Sequence, residues 1–423
     1  MYPSVRNQLP SIAGEHAPEL GMSRWIRVSR NVVFLGLTSM FTDISSEMVV
    51  AILPLYLTFE LRFTPLQFGI FDGFYQGITA LLRLASGLAA DRQQRYKGLA
   101  GAGYALSTGC KLGLLAVGSA WIPTMACLFL DRLGKGIRTA PRDALISLSS
   151  PQACLAEAFG IHRAFDTAGA LLGPIVAFSL LSLVPGGYDI VFATSFFAGV
   201  IGLGTLMLFV DNRERASGLD TSHPHVSLQA AVALVGVPCF RALVIAGALL
   251  SLASVSDALI YLTFQRRSDL NLSIFPLLYV GTAFVYLLLA VPAGRLADRV
   301  GRGRVLLGGH VLLMAVYGIL LLPGLGRIEM VCCLLLFGAY YAATDGVLIA
   351  MASTALPPWL RTSGLALLTT VTATARFFSA LFYGALWTCG GARLTLSLFI
   401  VGLTGAIVFA AVTLASEREP AEA

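Results

Sequence analysis

The stretch WIPTMACLFLDRLGKGIRTAPRD, residues 121–143, decides how this chain is read. An apolar run, 121–130, passes without a break into thirteen residues of which six are charged: Asp131, Arg132, Lys135, Arg138, Arg142 and Asp143. On an α-helix, which advances about 100° per residue, the six side chains fall within one arc of roughly 140°. Phe129, Leu130, Leu133, Ile137 and Ala140 occupy the opposite arc. One segment therefore presents a polar face and an apolar face. Pro141 is expected to kink or end the helix, which would leave Arg142 and Asp143 at its rim.

Composition supplies the surroundings. Of the 423 residues, 57% are apolar and 12% charged, whereas a soluble domain is roughly 25% charged. The fold class is all-α, a polytopic membrane protein. A bilayer core takes about 20 apolar residues per helix. Twelve such runs are expected, at about 32–58, 65–90, 98–119, 121–147, 157–183 and 188–210, then 241–264, 273–297, 304–323, 328–350, 362–388 and 392–415. In that setting a charge at the bilayer centre costs about 2.5–3.5 kcal/mol even on the lenient insertion scale. The polar arc of residues 131–143 must then face water, a partner helix or a solute.

Orientation follows from lysine and arginine in the short loops. With the N-terminus inside, fifteen basic residues fall on the inner side and five (Arg62, Arg266, Arg267, Arg327 and Arg393) on the outer. The bias places both termini in the cytoplasm and the chain in the cytoplasmic (inner) membrane. Residues 1–30 hold no apolar core of signal-peptide length, so the first span is expected to act as an uncleaved membrane signal. The net charge of +6 is explained by this topology and calls for no nucleic acid. The seven cysteines make no C-x-x-C spacing and the five histidines no H-E-x-x-H, so neither a metal nor a cofactor is expected. The cysteines, mostly in apolar runs, read as small buried side chains.

The chain also repeats itself. YLTF at 56–59 returns at 261–264, GLAADRQQR at 87–95 as GRLADRVGR at 294–302, and APRDALIS at 140–147 as AATDGVLI at 342–349. The three matches keep nearly one spacing, which argues for duplication. The expected organisation is a cytoplasmic tail at 1–31, a six-helix bundle at 32–210, a cytoplasmic linker at 211–240, a second six-helix bundle at 241–415 and a tail at 416–423. Two six-helix repeats form a recurrent transporter architecture, with the substrate held between them near the bilayer midplane.

Within the first span, Asp43 and Glu47 are four residues apart and share a face. If both were ionised they would repel, so one is expected to hold a proton or to pair with a cation. A carboxyl whose protonation depends on an approaching cation is able to carry protons; a plain buried ion pair with the fourth span is the alternative. Further charges inside the expected spans are Asp72, Arg83, Lys111, Arg163 and Asp166 of the first half, and Asp257, Asp345 and Arg376 of the second. The first half, with nearly balanced signs, reads as the coupling half.

At these residues the sequence resembles the major facilitator superfamily, over roughly residues 32–415. The loop after the second span is similar to the superfamily motif G-x-x-x-D-R-x-G-R-R, through Gly87, Asp91, Arg92 and Arg95. A second copy is Gly294, Asp298, Arg299, Gly301 and Arg302. The resemblance implies that these residues hold a cytoplasmic gate. Arg132, Gly136 and Ala140 resemble an antiporter pattern in the fourth span, which implies that Arg132 takes part in proton transfer as the partner of Asp43 or Glu47. Gly169, Gly173 and Pro174 look like an exporter pattern in the fifth span, although Ile175, Val176 and Ala177 stand where glycines usually close it. More narrowly, FTDISSEM with DRLGKGIRTAPRDAL resembles a bacterial branch of the superfamily without an agreed substrate.

The functional expectation is a secondary transporter, not an enzyme, moving a small organic solute by alternating access with protons as the coupling ion. Direction leans to export of a drug or metabolite; the alternative is proton-driven uptake of an organic anion or a siderophore. The expected transport path comprises Asp43, Glu47, Asp72, Arg132, Lys135, Arg138, Arg163, Asp166, Asp345 and Arg376. Expected partners are the solute, protons and the lipid bilayer, with the chain a monomer. A membrane enzyme would need a base beside Ser45 and Ser46, and no histidine joins them in sequence.

Overall fold

The computed structural model describes residues 29–75, 77, 96–118, 120–150, 155–212, 236–268, 271–356 and 361–416. Every regular element among them is helical. Helix α1 spans Arg30–Leu55 and runs on through a π turn at Tyr56–Glu60; α2 covers 65–75, α3 Tyr96–Val117, α4 Trp121–Leu148, α5 Leu155–Leu183 and α6 Tyr188–Phe209. Then follow α7 Pro238–Leu252, α8 Asp257–Arg267, α9 Phe275–Val300, α10 Arg302–Leu321, α11 Arg327–Ala355 and α12 Arg361–Ser416.

Eight helical stretches among the described residues are long and apolar enough to cross a membrane, fewer than the twelve expected. The reasons are local. Six charges in 131–143 give α4 too polar a composition to count, and Lys97, Lys111 and five glycines dilute α3 in the same way. The second expected span passes into residues outside those described. The last two run together as α12, divided at Gly391, whose φ of 76° and ψ of 169° interrupt the helix. Large apolar side chains stand exposed around the outside, among them Leu183, Phe197, Leu208 and Val401 at 79%, 64%, 78% and 70%. Lipid covers such a surface; water would not tolerate it.

Two departures from expectation shape the interior. Pro141 lies within α4 without ending it, and the helix continues to Leu148. Arg142 and Asp143 are therefore held inside the helix. The seventh expected span is broken where a continuous helix was expected: α7 stops at Leu252 and α8 starts at Asp257. Backbone groups freed at the break are satisfied by side chains. The Tyr317 hydroxyl donates to the Ala253 carbonyl at 3.0 Å and accepts from Val255 N–H at 2.8 Å. Ser379 Oγ donates to the Ser254 carbonyl at 2.8 Å, and Ser256 caps α8 by accepting from Leu259 N–H. Irregular backbone at membrane depth persists only where protein or a cavity surrounds it, and this segment meets both conditions. The cysteines also differ from expectation: Cys110 and Cys333 are buried, but Cys239, Cys332 and Cys389 are exposed.

Candidate functional site

The interior encloses a cavity of about 680 Å³ lined from both ends of the sequence: by α1, α2 and α4, and by α7 through α12 with the α7–α8 break. Of the expected path residues, Glu47, Asp72, Arg132, Asp345 and Arg376 line it. Asp43, Lys135, Arg138, Arg163 and Asp166 do not line it, and Arg163 is exposed.

The charged faces of α1 and α4 do meet, but not through the residue expected. Asp43 pairs with Arg138 (3.5 Å) and Glu47 with Lys135 (3.6 Å). Arg132 forms neither pair; its guanidinium lies over the Tyr75 ring, 3.7 Å from the centroid. The two carboxylates are thus each faced by a separate cation, which relieves their mutual repulsion. Asp131 turns away from this face to Lys111 of α3, an ion pair whose lysine is fully buried, and accepts a second hydrogen bond from Ser107 Oγ.

What places the α1 carboxylates is α5. A Cβ built on Gly169 would lie 2.6 Å from the Met40 carbonyl and 3.0 Å from Asp43 Cβ; one on Gly173 would lie 2.8 Å from Glu47 Cβ and 2.9 Å from the Ile44 carbonyl. Small residues four apart let two helices approach closely, and here they seat α1 against α5 at the two acidic positions. Pro174 follows inside the same helix. Below this contact a second ionic cluster joins α1, α4 and α5. Buried His162 has Nε2 2.9 Å from Ser39 Oγ and Nδ1 3.5 Å from Asp166, while Arg142 reaches Asp166 at 3.9 Å and Asp143 at 2.9 Å.

On the far wall the Tyr341 hydroxyl donates to the Asp257 carboxylate, at the first residue after the helix break. Arg376 lies within electrostatic reach of Asp257, Asp345, Tyr340 and Tyr341. Sequence reasoning noted Asp257 as a charge but gave it no place, and overlooked Tyr75, Tyr341, His162 and His310. The run Ser254-Val255-Ser256-Asp257 carries an N-cap signature that could have revealed the break. No comparable signal marks the tyrosines.

Beside the cavity α2 packs closely against α12, a contact that would seal one end of it. The Leu66 N–H donates to Thr388 Oγ1 at 3.0 Å, and a Cβ on Gly384 would lie 3.1 Å from Gly69 Cα. Phe74 and Phe377 meet edge to face at 4.9 Å. Of the two gate motifs, Gly87, Asp91 and Arg92 lie outside the described residues. In the second copy Asp298 pairs with Arg302 at 3.1 Å, and Arg302 also donates to the Ala350 carbonyl. Gly301, at φ 109°, turns the chain between α9 and α10. Arg299 is exposed in the last turn of α9. Among the described residues a Cβ on Gly294 would meet nothing within 4 Å, so none of their close helix approaches depends on that glycine.

A family model described as Major Facilitator Superfamily matches residues 35–380. The chain belongs to the Major Facilitator Superfamily. It is 32% identical over 369 residues to an uncharacterized MFS-type transporter of Methanocaldococcus jannaschii, covering 85% of this chain and 89% of that one. An uncharacterized protein of Mycobacterium tuberculosis is 29% identical over 167 residues, 40% of this chain and 39% of its own. Among solved structures, the nucleoside transporter NupG superposes with a TM-score of 0.74 at 14% identity, over 91% of this chain and 99% of that one. A bacterial homologue of the human lysosomal transporter Spinster, inward-facing, does so at 0.69 and 16%, over 90% and 96%. These likenesses give the fold of a superfamily member, a multi-pass membrane protein built as a transporter.

Proposed function

We propose that the chain is a secondary transporter that carries a small organic solute across the cytoplasmic membrane by alternating access, with protons coupled at Asp43 and Glu47. The observation that carries this reading is the paired meeting of α1 and α4, Glu47 of the cavity wall with Lys135 behind it, and Asp43 with Arg138 one helical turn away from the wall. Each carboxylate in this scheme is neutralised by its cation while the helices are together and by a proton once they part. In this scheme Arg132 positions Tyr75 at the cavity wall instead of exchanging protons with the α1 acids.

The proposed organisation is two six-helix bundles, 32–210 and 241–415, joined by a cytoplasmic linker, with both termini cytoplasmic and the two arms of α12 either side of Gly391 as the last two spans. The α2–α12 seal then lies on the outer side, and the cavity belongs to an inward-facing state. The seating of Gly169 and Gly173 on α1 supports the lean to export, since that pattern resembles the exporters' fifth helix.

The test is reconstitution in proteoliposomes. The solute that most raises the melting temperature of the purified chain is loaded, and its flux is followed under an imposed pH gradient. The wild type is expected to move the solute in response to the gradient, and Asp43→Asn and Arg138→Ala to keep exchange but lose that response. Flux indifferent to the gradient removes proton coupling; gradient-driven transport in both variants removes the assignment of these residues.

A further inference from the structure

Among the described residues six carboxylate or guanidinium side chains line the cavity, and four of them are already engaged with the protein. Glu47 pairs with Lys135, Asp72 is engaged as well, Asp257 accepts from Tyr341, and Arg132 lies on the face of Tyr75. All four are buried or half-buried. Asp345 of α11 and Arg376 of α12 differ. Both are exposed, and the space they line is the cavity. Among the described residues neither makes a hydrogen bond or closes an ion pair, with the other or with any third side chain. They are near enough to act on one another electrostatically.

A carboxylate and a guanidinium thus stand near each other, unbonded, and face one space. While the cavity is open, water meets their demand for hydrogen bonds. A solute that fills the cavity displaces that water, and a charge left buried without a partner is heavily penalised. An amine with no acid group would strand Arg376. An acid with no amine would strand Asp345. A solute without charge would leave the two to close on each other and gain nothing from either. A solute that carries both charges satisfies both side chains at once, and the stranded charge rejects the others. Rings border the pair: Tyr340 and Tyr341 lie 5.1 Å apart and both act on Arg376. The volume, about 680 Å³, leaves room beside the charged groups for an apolar or aromatic body.

We infer that the cargo is a zwitterion of the amino-acid or short-peptide class, with its carboxylate on Arg376, its ammonium on Asp345 and its apolar body among the rings of the cavity. The inference rests on the transport reading above and names the cargo class that reading leaves open. It places the cargo on the second half of the sequence, apart from the first-half carboxylates proposed for coupling.

The test compares probes of one body and different charge on the purified full chain. Phenylalanine and phenylalanylphenylalanine are zwitterions; the methyl ester of each is a cation and the N-acetyl form of each an anion. Affinities are read by titrating the melting temperature. At least one zwitterion is expected to bind at least about tenfold more tightly than its own ester and its own N-acetyl form. In Arg376→Gln the ester should overtake the zwitterion, and in Asp345→Asn the N-acetyl form should do so. A merely structural role for either side chain would not produce that crossing. In the wild type, an ester or N-acetyl form that binds as well as its zwitterion overturns the inference, as does binding of none of the six. A zwitterion preference that survives in both variants overturns it as well, and the wild-type comparison stands alone if a variant fails to fold. The transport reading fails differently. Thr369 lines the cavity and is exposed to it. In the full chain with its seven native cysteines replaced, Thr369→Cys that is inert to the trimethylammonioethyl and sulfonatoethyl methanethiosulfonates means a cavity closed to water, which removes transport itself.

Discussion

Replacing Gly173 by alanine tests the claim that α5 sets the position of the α1 carboxylates. The added Cβ would lie 2.8 Å from Glu47 Cβ, where ordinary contact begins at 3.4 Å. The Ile44 carbonyl at 2.9 Å and Met48 N at 3.0 Å block escape along the helix, because both belong to backbone. Helix α1 must therefore retreat by about 0.6 Å at this point. Overpacking of this kind costs about 1–3 kcal/mol. The Glu47–Lys135 pair, at 3.6 Å, is loose enough for a shift of that size to break it. We expect Gly173→Ala to lower the melting temperature and to weaken the response of flux to a pH gradient. Combined with Glu47→Gln, the loss of coupling should be less than additive, because both changes act on one interaction. Gly204→Ala in α6 is the control: no atom of the described residues lies within 4 Å of its added Cβ, and helix propensity favours alanine there by about 1 kcal/mol. If Gly173→Ala melts with the wild type and keeps its gradient response, the reasoning from close packing to coupling is wrong.

Lys111→Met should strand the buried Asp131 carboxylate and destabilise the chain by about 3–5 kcal/mol. Adding Asp131→Leu should recover most of the loss, read as a melting temperature above that of the single variant. Gly384→Val would crowd Gly69 and Leu66, whose Cα atoms lie 3.1 and 3.2 Å from the new Cβ, and so disfavour the α2–α12 seal. Labelling of Thr369→Cys by an impermeant reagent added outside intact cells should then rise about tenfold, the equivalent of 1.4 kcal/mol, and an unchanged rate would count against the seal. Tyr317→Phe removes the hydroxyl that serves both Ala253 and Val255 at the helix break. An unmet buried polar group costs about 1–3 kcal/mol, so a clear fall in melting temperature is expected, and none would mean that other groups satisfy the break.

The parts of this structure that the sequence reveals and those it hides divide along the helix axis. Hydropathy and the 100° step predicted that α1 and α4 carry charged faces but left open whether the α4 face meets water, a solute or another helix; the Asp43–Arg138 and Glu47–Lys135 pairs show that the two faces meet. The same arithmetic puts Arg132 and Arg138 on one arc and cannot choose between them. They differ by six residues, about 9 Å of rise, farther than a side chain can compensate. Which one reaches Asp43 depends on the height of α1 beside α4. That height is set by a third helix, through Gly169 on Asp43 and Gly173 on Glu47, a contact between segments more than a hundred residues apart. The break at 253–256 was missed for a related reason: a hydropathy window of span length averages over four irregular residues whose polar groups are satisfied by Tyr317 and Ser379 from distant helices. The same dependence bears on the coupling residue. The cation implied by the antiporter resemblance is Arg132, which the structure gives to Tyr75 and the cavity wall. The cations that hold the α1 acids lie one and two turns further along α4, at Lys135 and Arg138. If protons are exchanged there, conservative loss of Arg132 should shift solute affinity while leaving the gradient response intact, and loss of Arg138 should do the reverse.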